Sequence, residues 1–215
     1  MKRKTVRTFI GLTGALAMAL AGSQALWAGT INFASSTNGS DVYVVDNSSP
    51  DFSNPANIPS FAGATAATSD YSGGGWLITI PGATAIDLPG GQGGSWVETT
   101  FTLPSDFKDA SLSGLLSVDD WGCAFLNGNA IGCANVPYVY GSGQFGTLVS
   151  ASSSQFVAGV NTLVFSDNNA GGGPEGMIFG GTVNYVTPEP GTLLLLGSGL
   201  VGLAGMVRRK IKVQG

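Results

Sequence analysis

The chain has 215 residues, of which 43% are hydrophobic and only 10% charged, and its formal net charge is −4. It contains no histidine, which excludes Ser-His and Cys-His nucleophile pairs and the usual zinc ligand sets. Carboxylate pairs are then the one common catalytic device that remains. No carboxylate lies within an apolar run that would raise its pKa, so we expect a protein that is not an enzyme.

The first 28 residues are typical of a secretory signal peptide. Four basic residues precede an apolar run at 9–20, and small residues follow at Ser23, Ala25 and Ala28. We expect export by the general secretion machinery, cleavage between Ala25 and Ala28, and a single exported domain at 29–186.

The segment 187–215 combines a proline-containing hinge, an apolar run and a basic cluster. The run at 191–207 carries no charge, and as a helix it would be about 26 Å long, close to the roughly 30 Å of a hydrocarbon core. We therefore predict a transmembrane helix at 191–207 that anchors a precursor in the inner membrane, with the basic residues inside. The hinge residues are Pro188, Glu189 and Pro190, and the basic residues are Arg208, Arg209 and Lys210.

In this order, the three parts resemble the PEP-CTERM sorting tail of Gram-negative bacteria, and the resemblance covers 188–210. It implies recognition by an exosortase, a membrane-embedded transpeptidase-like protease, with cleavage near Pro188-Glu189-Pro190. It also implies release or transfer to the cell surface or the extracellular polysaccharide matrix. An ordinary single-pass membrane anchor is the alternative.

Charge is unevenly distributed along the chain. Eight of the nine basic residues lie in the two ends, so that 29–186 contains Lys108 and twelve carboxylates. A domain this acidic repels phosphate backbones, which excludes a nucleic-acid partner. It can attract Ca²⁺, the one cofactor that the composition favours.

Short β-prone segments separated by Gly, Pro and Asn predict an all-β domain, a β-sandwich of jelly-roll type. The segment 96–103 alternates, with Val97, Phe101 and Leu103 on one face. Residues 48–75 are rich in Pro, Ser, Ala and Gly and predict a long loop. The predicted strands are 30–33, 41–46, 76–80, 96–103, 112–118, 123–126, 130–133, 161–166 and 177–185.

Residues 96–185 also resemble galactose-binding-like β-sandwich domains. An acidic corner at Asp119-Asp120 precedes a hairpin with an Asn-Gly turn, as in that fold. Gly159, Asn161 and Leu163 fill its frequent Gly-x-Asn-x-Leu pattern. The resemblance implies a sandwich of the kind that many binding modules share.

The sequence Asn127-Gly128-Asn129 predicts a β-hairpin, since Asn and Gly tolerate positive φ. Cys123 and Cys133 are equally distant from Gly128, so a turn centred there brings them opposite each other. In an exported chain we expect them to form a disulfide. Two buried free thiols are the alternative.

Three groups of residues are candidates for ligand contact, each with a structural alternative that we prefer. Asp119, Asp120 and Trp121 suit a sugar or Ca²⁺, but Asp residues also cap strand corners. Asp167, Asn169 and Glu175 offer oxygen ligands for Ca²⁺, but a plain turn explains them as well. A set of aromatic residues suits a sugar-stacking platform, but core positions are more usual; this set is Trp76, Trp96, Trp121, Tyr138 and Tyr140.

The sequence therefore predicts an exported cell-surface or matrix protein that is carbohydrate-associated or structural and has no catalytic residues. Surface polysaccharide is the expected partner besides the exosortase. One alternative is a secreted, carboxylate-dependent enzyme that acts on glycans. Another is an ice-binding or adhesin-type surface protein, although the regular Thr-rich repeats of that class are not visible.

Overall fold

The computed structural model describes residues 26–46, 51–71, 78–89, 93–134, 147–189 and 191–213. Residues Ala28–Val186 form one compact unit, and the described residues from Thr187 onward belong to a second. The strands are β1 (Leu26–Ala34), β2 (Val42–Val45), β3 (Thr65–Ala66), β4 (Ile86–Leu88), β5 (Gly93–Leu103), β6 (Asp109–Val118), β7 (Gly122–Leu126), β8 (Asn129–Ala134), β9 (Thr147–Ala151), β10 (Gly159–Asn169) and β11 (Glu175–Pro188).

The strands form two sheets. Sheet 1 has the order β1-β11-β6-β9, with β4 also paired to β11, and sheet 2 has the order β3-β2-β5-β10-β7-β8. From β5 onward the chain passes from one sheet to the other at every connection except the β7–β8 hairpin. Neighbouring strands therefore come from distant parts of the sequence, and the predicted all-β sandwich is confirmed.

The main core lies between the two sheets and is built by residues that alternate along each strand. Val97, Phe101 and Leu103 of β5 all belong to it, as the alternation predicted. The rings of Phe165 on β10 and Phe179 on β11 stack across the sandwich with their centroids 3.9 Å apart. Each sheet therefore contributes one ring to the same contact, which joins the two layers at their centre.

A second, smaller core covers the outer face of sheet 2. Trp96 and Phe125 point away from the main core, and Phe52 stacks on Trp96 with ring centroids 5.2 Å apart. Phe52 also accepts a hydrogen bond of 2.8 Å on its carbonyl oxygen from the Ser166 hydroxyl. The predicted loop at 48–75 thus has a structural role in its described part, since it closes this face against water.

Four strand predictions differ from the structure. The segments β3, β4 and β9 were not predicted, and Ile78–Ile80 form no strand, although 76–80 was predicted as one. Residues 76–77 lie outside the described part of the chain. Pro81-Gly82 ends the β-prone run at Ile80, and the first residues of β11 pair instead with β4.

The β7–β8 hairpin has a two-residue turn at Asn127-Gly128, where φ is 49° and 79°. Such a turn alone would set Cys123 opposite Gly132. A register shift between Ala124 and Phe125 moves the pairing by one residue, so that Cys123 faces Cys133. The predicted disulfide between them is confirmed. The reason for the pairing differs from the prediction: a β-bulge brings the two cysteines opposite each other, and the turn is not centred on Gly128.

In the second unit, residues Gly191–Val213 form the helix α1. The predicted helix at 191–207 is therefore present and ends later than expected. Within the described residues, no helix has the length and hydropathy needed to cross a membrane, which differs from the prediction of a transmembrane helix.

Candidate functional site: a carboxylate cluster at one end of the sandwich

One end of the sandwich collects acidic residues from both sheets. In sheet 2, Asp167 near the end of β10 is paired with Ser95 near the start of β5. In sheet 1, Glu175 is the first residue of β11, and Asp119 follows the end of β6 directly. The backbone N–H of Asp119 donates to the Gly176 carbonyl at 3.1 Å, which holds the two strand ends of sheet 1 side by side.

Two of these carboxylates are buried, and three of their four oxygens have no hydrogen-bonding partner. The exposed fraction is 0% for Asp167 and 1% for Glu175. Both carboxylate oxygens of Asp167 and Oε1 of Glu175 have no partner, and neither does the hydroxyl of Ser95 beside them. Leaving a buried polar group unpaired costs on the order of 1–3 kcal/mol, and more when the group is charged. Hydrogen bonds within the protein therefore do not account for the burial of these carboxylates.

The electrostatics of the cluster follow from this burial. Burial raises the pKa of Asp167 well above its usual range, and the nearby Glu175 and Asp119 carboxylates raise it further. Burial also raises the pKa of Glu175 to about 7, against a smaller opposite effect of the neighbouring Ser95 hydroxyl. Ionisation of the whole cluster is thus unfavourable unless a positive charge binds to it.

Asp119, Asp120 and Trp121 form the corner between β6 and β7, and their contacts are structural. The Asp119 Oδ2 atom accepts from the Tyr71 hydroxyl at 2.6 Å, and Asp120 Oδ2 accepts from the Ala170 N–H at 2.9 Å. The Trp121 carbonyl accepts from the Asn168 N–H at 2.8 Å. The preferred alternative of corner capping therefore describes Asp120, while Asp119 also lies against the buried pair.

The three predicted calcium ligands, Asp167, Asn169 and Glu175, differ in their contacts. The Asn169 amide serves its own loop, since its Nδ2 donates to the Gly173 carbonyl at 3.1 Å and its Oδ1 accepts from the Gly172 N–H at 3.0 Å. Asp167 and Glu175, by contrast, are brought together by strands of opposite sheets. Among the described residues, no group of three or more His, Cys, Asp or Glu side chains is arranged to hold a metal ion.

The aromatic residues do not form the predicted platform where the structure describes them. Trp96 is fully buried in the second core. Trp121 is half-buried and meets Phe52 edge-on, with ring centroids 6.4 Å apart. Both serve the core, because sheet 2 is covered on its outer face by the 51–61 segment. Trp76, Tyr138 and Tyr140 lie outside the described residues.

Comparison with known proteins identifies the tail. Residues 186–210 match the family model of the PEP-CTERM protein-sorting motif. The chain therefore carries a PEP-CTERM sorting motif. Such a motif implies an exported protein whose precursor is anchored at its C-terminus and processed by an exosortase-type membrane protein. No curated protein matches the chain.

Solved structures with a similar arrangement include a putative beta-galactosidase from Bacteroides fragilis, with 14% identity and a TM-score of 0.38 over 71% of this chain and 23% of that one. A family 35 carbohydrate binding module from Clostridium thermocellum has 10% identity and a TM-score of 0.33 over 74% and 97% of the two chains. A Faecalibacterium prausnitzii beta-glucuronidase has 16% identity and a TM-score of 0.38 over 78% and 32%. The chain thus spans about a quarter to a third of the length of the two enzymes. The order of the strands in the two sheets defines the fold of this chain.

Proposed function

We propose that the protein is delivered to the cell surface or the extracellular polysaccharide matrix of a Gram-negative bacterium by an exosortase-type system. The sorting motif at 186–210 is the observation that carries the proposal. The motif begins within the last residues of β11, so the sorting signal follows the sandwich without a linker. A signal peptide at 1–28 is the export signal that this route requires.

The sandwich itself is proposed to be non-catalytic, either carbohydrate-associated or structural. A carboxylate that cleaves a glycosidic bond must touch the substrate. Asp167 and Glu175 are buried, and the Oδ2 atom of Asp119 is bonded to the Tyr71 hydroxyl. The carboxylates with the most perturbed pKa are therefore those that a polysaccharide reaches least easily.

Mass spectrometry of material released from the cell surface tests the sorting step. The mature chain should end near Pro188-Glu189-Pro190 and lack Arg208–Gly215. A variant in which Pro188 and Pro190 are replaced by alanine should stay in the membrane fraction at full length. Recovery of the intact C-terminus from surface material would refute sorting and leave an ordinary anchor.

A glycan array tests the role of the sandwich. The protein is applied with CaCl₂ and, separately, with a chelator, and soluble products are analysed after prolonged incubation. Binding without turnover supports a carbohydrate-associated module, and the absence of binding to any acidic or neutral glycan favours a structural role.

A glycan-active enzyme is the second candidate, and one observation favours it. The pKa of Glu175 is raised to about 7, which is the range of a general acid that works near neutral pH. Release of reducing ends from any array glycan should be abolished by Glu175→Gln. It should persist in Asp106→Asn, a control at an exposed carboxylate between β5 and β6.

A further inference from the structure

Within residues 29–186, as far as the structure describes them, no basic side chain lies beside the buried pair of Asp167 and Glu175. In the sequence from 29 to 186, Lys108 is the sole lysine or arginine. It immediately precedes β6, whereas Asp119 immediately follows the same strand. Ten residues of β-strand are about 33 Å long, and β6 has ten residues. Lys108 therefore lies at the opposite end of the sandwich and cannot reach the pair.

Both side chains of the pair face the interior of the sandwich, because Asp167 lies two residues after the core residue Phe165 on β10 and Glu175 two residues before the core residue Met177 on β11. Asp167 lies in sheet 2 and Glu175 in sheet 1. The Asp119 carboxylate lies near both of them, since its charge raises the pKa of each. Three carboxylate oxygens have no hydrogen-bond donor, although backbone N–H groups are paired along both strands. A bound divalent cation satisfies all three at once.

We propose that Asp167 and Glu175 bind one Ca²⁺ ion between the two sheets, with Asp119 beside them as a further negative charge. The residue types favour a hard cation. The chain has no histidine, and both cysteines form the disulfide, so the soft and nitrogen ligands of zinc or copper are absent.

Calcium fits this site better than magnesium. It accepts six to eight oxygen ligands in irregular geometry, including bidentate carboxylates, backbone carbonyls and water, whereas Mg²⁺ requires a near-ideal octahedron. Asp167 and Glu175 supply up to four oxygens, and the Ser95 hydroxyl, which has no partner, is available as another. Water and backbone carbonyls complete the shell, so a third carboxylate ligand is not required.

The ion would join the two sheets at the end of the sandwich. Residues 170–174 connect β10 to β11 around the site, and Asp120 holds this connection through the Ala170 N–H. Binding would thus order the loop and remove the repulsion within the acidic cluster. This inference does not depend on the proposed function, because it concerns the ion and not a glycan.

Direct binding to the full-length chain, purified in mild detergent and stripped with EDTA, tests the proposal. Tb³⁺ is added and its luminescence is excited through tryptophan, since Trp96 directly follows Ser95 and Trp121 directly follows Asp120. Sensitised luminescence should saturate at one ion per chain and be displaced by CaCl₂. Calorimetry with CaCl₂ should give the same stoichiometry, and MgCl₂ should bind more weakly.

Variants locate the ion. Asp167→Asn keeps the shape of the side chain and should weaken Ca²⁺ binding by about tenfold or more. Asp106→Asn is the matched control, since Asp106 is an exposed carboxylate between β5 and β6 at the far end of the sandwich. If circular dichroism shows that Asp167→Asn is unfolded, Glu175→Gln replaces it, and the stoichiometry of the wild type decides alone if both fail.

Absence of saturable Tb³⁺ or Ca²⁺ binding to the wild type would overturn the proposal. Equal affinity of Asp167→Asn and the wild type would overturn it as well, and so would an equal loss of affinity in Asp106→Asn, which indicates screening of surface charge. A wild type that binds Ca²⁺ but no glycan would leave this inference intact and count against the carbohydrate role only.

Discussion

The side-chain amide of Asn127 donates through Nδ2 to Oδ1 of Asn161 at 2.8 Å, across 34 residues of sequence. Asn127 occupies the β7–β8 turn and Asn161 the start of β10. Asn161 Oδ1 also accepts from the Val157 N–H at 2.9 Å, and its Nδ2 donates to the carbonyls of Val157 and Gly159. One buried side chain therefore fixes a hairpin turn to the entry of the central strand of sheet 2.

Replacement of Asn161 by alanine should destabilise the fold strongly. The change removes four partly buried hydrogen bonds, each worth roughly 0.5–1.5 kcal/mol, so we expect the free energy of unfolding to fall by roughly 2–4 kcal/mol. Denaturant titration followed by tryptophan fluorescence measures this value. Asn184→Ala is the control, because Asn184 is exposed and bonds only to the Thr30 hydroxyl among the described contacts. Equal losses in both variants would show that the network has no special weight.

Replacement of Gly122 by alanine should be as severe for a different reason. A Cβ atom at this position would overlap the carbonyl oxygen of Ser166 on the neighbouring strand, and backbone cannot move aside cheaply. We expect a loss of roughly 3 kcal/mol or more in the free energy of unfolding. Gly171→Ala meets open space and should change it by less than about 0.5 kcal/mol. A well-folded, stable Gly122→Ala protein would mean that β7 and β10 are not packed this closely.

In the absence of divalent cations, stability should decrease as the pH rises from about 4.5 to about 7. The pKa of Glu175 is raised from 4.5 to about 7 in the folded state, and that of Asp167 is raised as well. The folded state therefore binds more protons than the unfolded state in this window, and the free energy of unfolding falls with increasing pH. Thermal unfolding in EDTA at a series of pH values measures the slope.

The same experiment carries its own controls. Glu175→Gln should flatten the slope, because the amide does not titrate, whereas Asp106→Asn should leave it unchanged. Addition of CaCl₂ should also flatten it, since the ion favours the ionised carboxylates. A slope of the opposite sign in EDTA would show that the cluster is not buried as described.

Reduction of the disulfide between Cys123 and Cys133 should weaken the fold. The bridge closes a loop with a sequence separation of 10, and on the chain-entropy model its loss costs roughly 3 kcal/mol. Denaturant titration with and without reductant, or of Cys123→Ser with Cys133→Ser, measures the difference. Thiol titration of unreduced, denatured protein should find no free thiol; two would contradict the pairing.

The strands that the sequence predicted well are those with a local signal. In β5, Val97, Phe101 and Leu103 alternate over enough residues to define a buried face. The turn between β7 and β8 is indicated by the residue types of Asn127-Gly128 alone. The segment β4 has only three residues, Ile86–Leu88, which is too short for any period to appear. The bulge near Ala124 was equally invisible, because it depends on how two strands pair and not on either strand by itself.

The acidic cluster was partly predictable as a set of residues but not as a buried one. Asp167 is followed by Asn168 and Asn169 and Glu175 is preceded by glycines and a proline, so both resemble residues of an exposed loop. Their burial comes from the ends of β10 and β11, which meet in opposite sheets. This invalidates the argument from the sequence that no carboxylate has a raised pKa. A signal that was available is the near absence of basic residues from 29–186, which leaves any buried carboxylate without a basic partner.

The placement of β11 has a mechanical consequence. The strand carries Glu175 at one end of the sandwich and leads to the sorting motif at the other, and it is paired with β6 over ten consecutive positions. A force applied to the C-terminus acts along the axis of this strand. The hydrogen bonds to β6 are therefore loaded together in shear and do not break one after another. A sandwich pulled through its C-terminus would thereby resist unfolding at this strand pair.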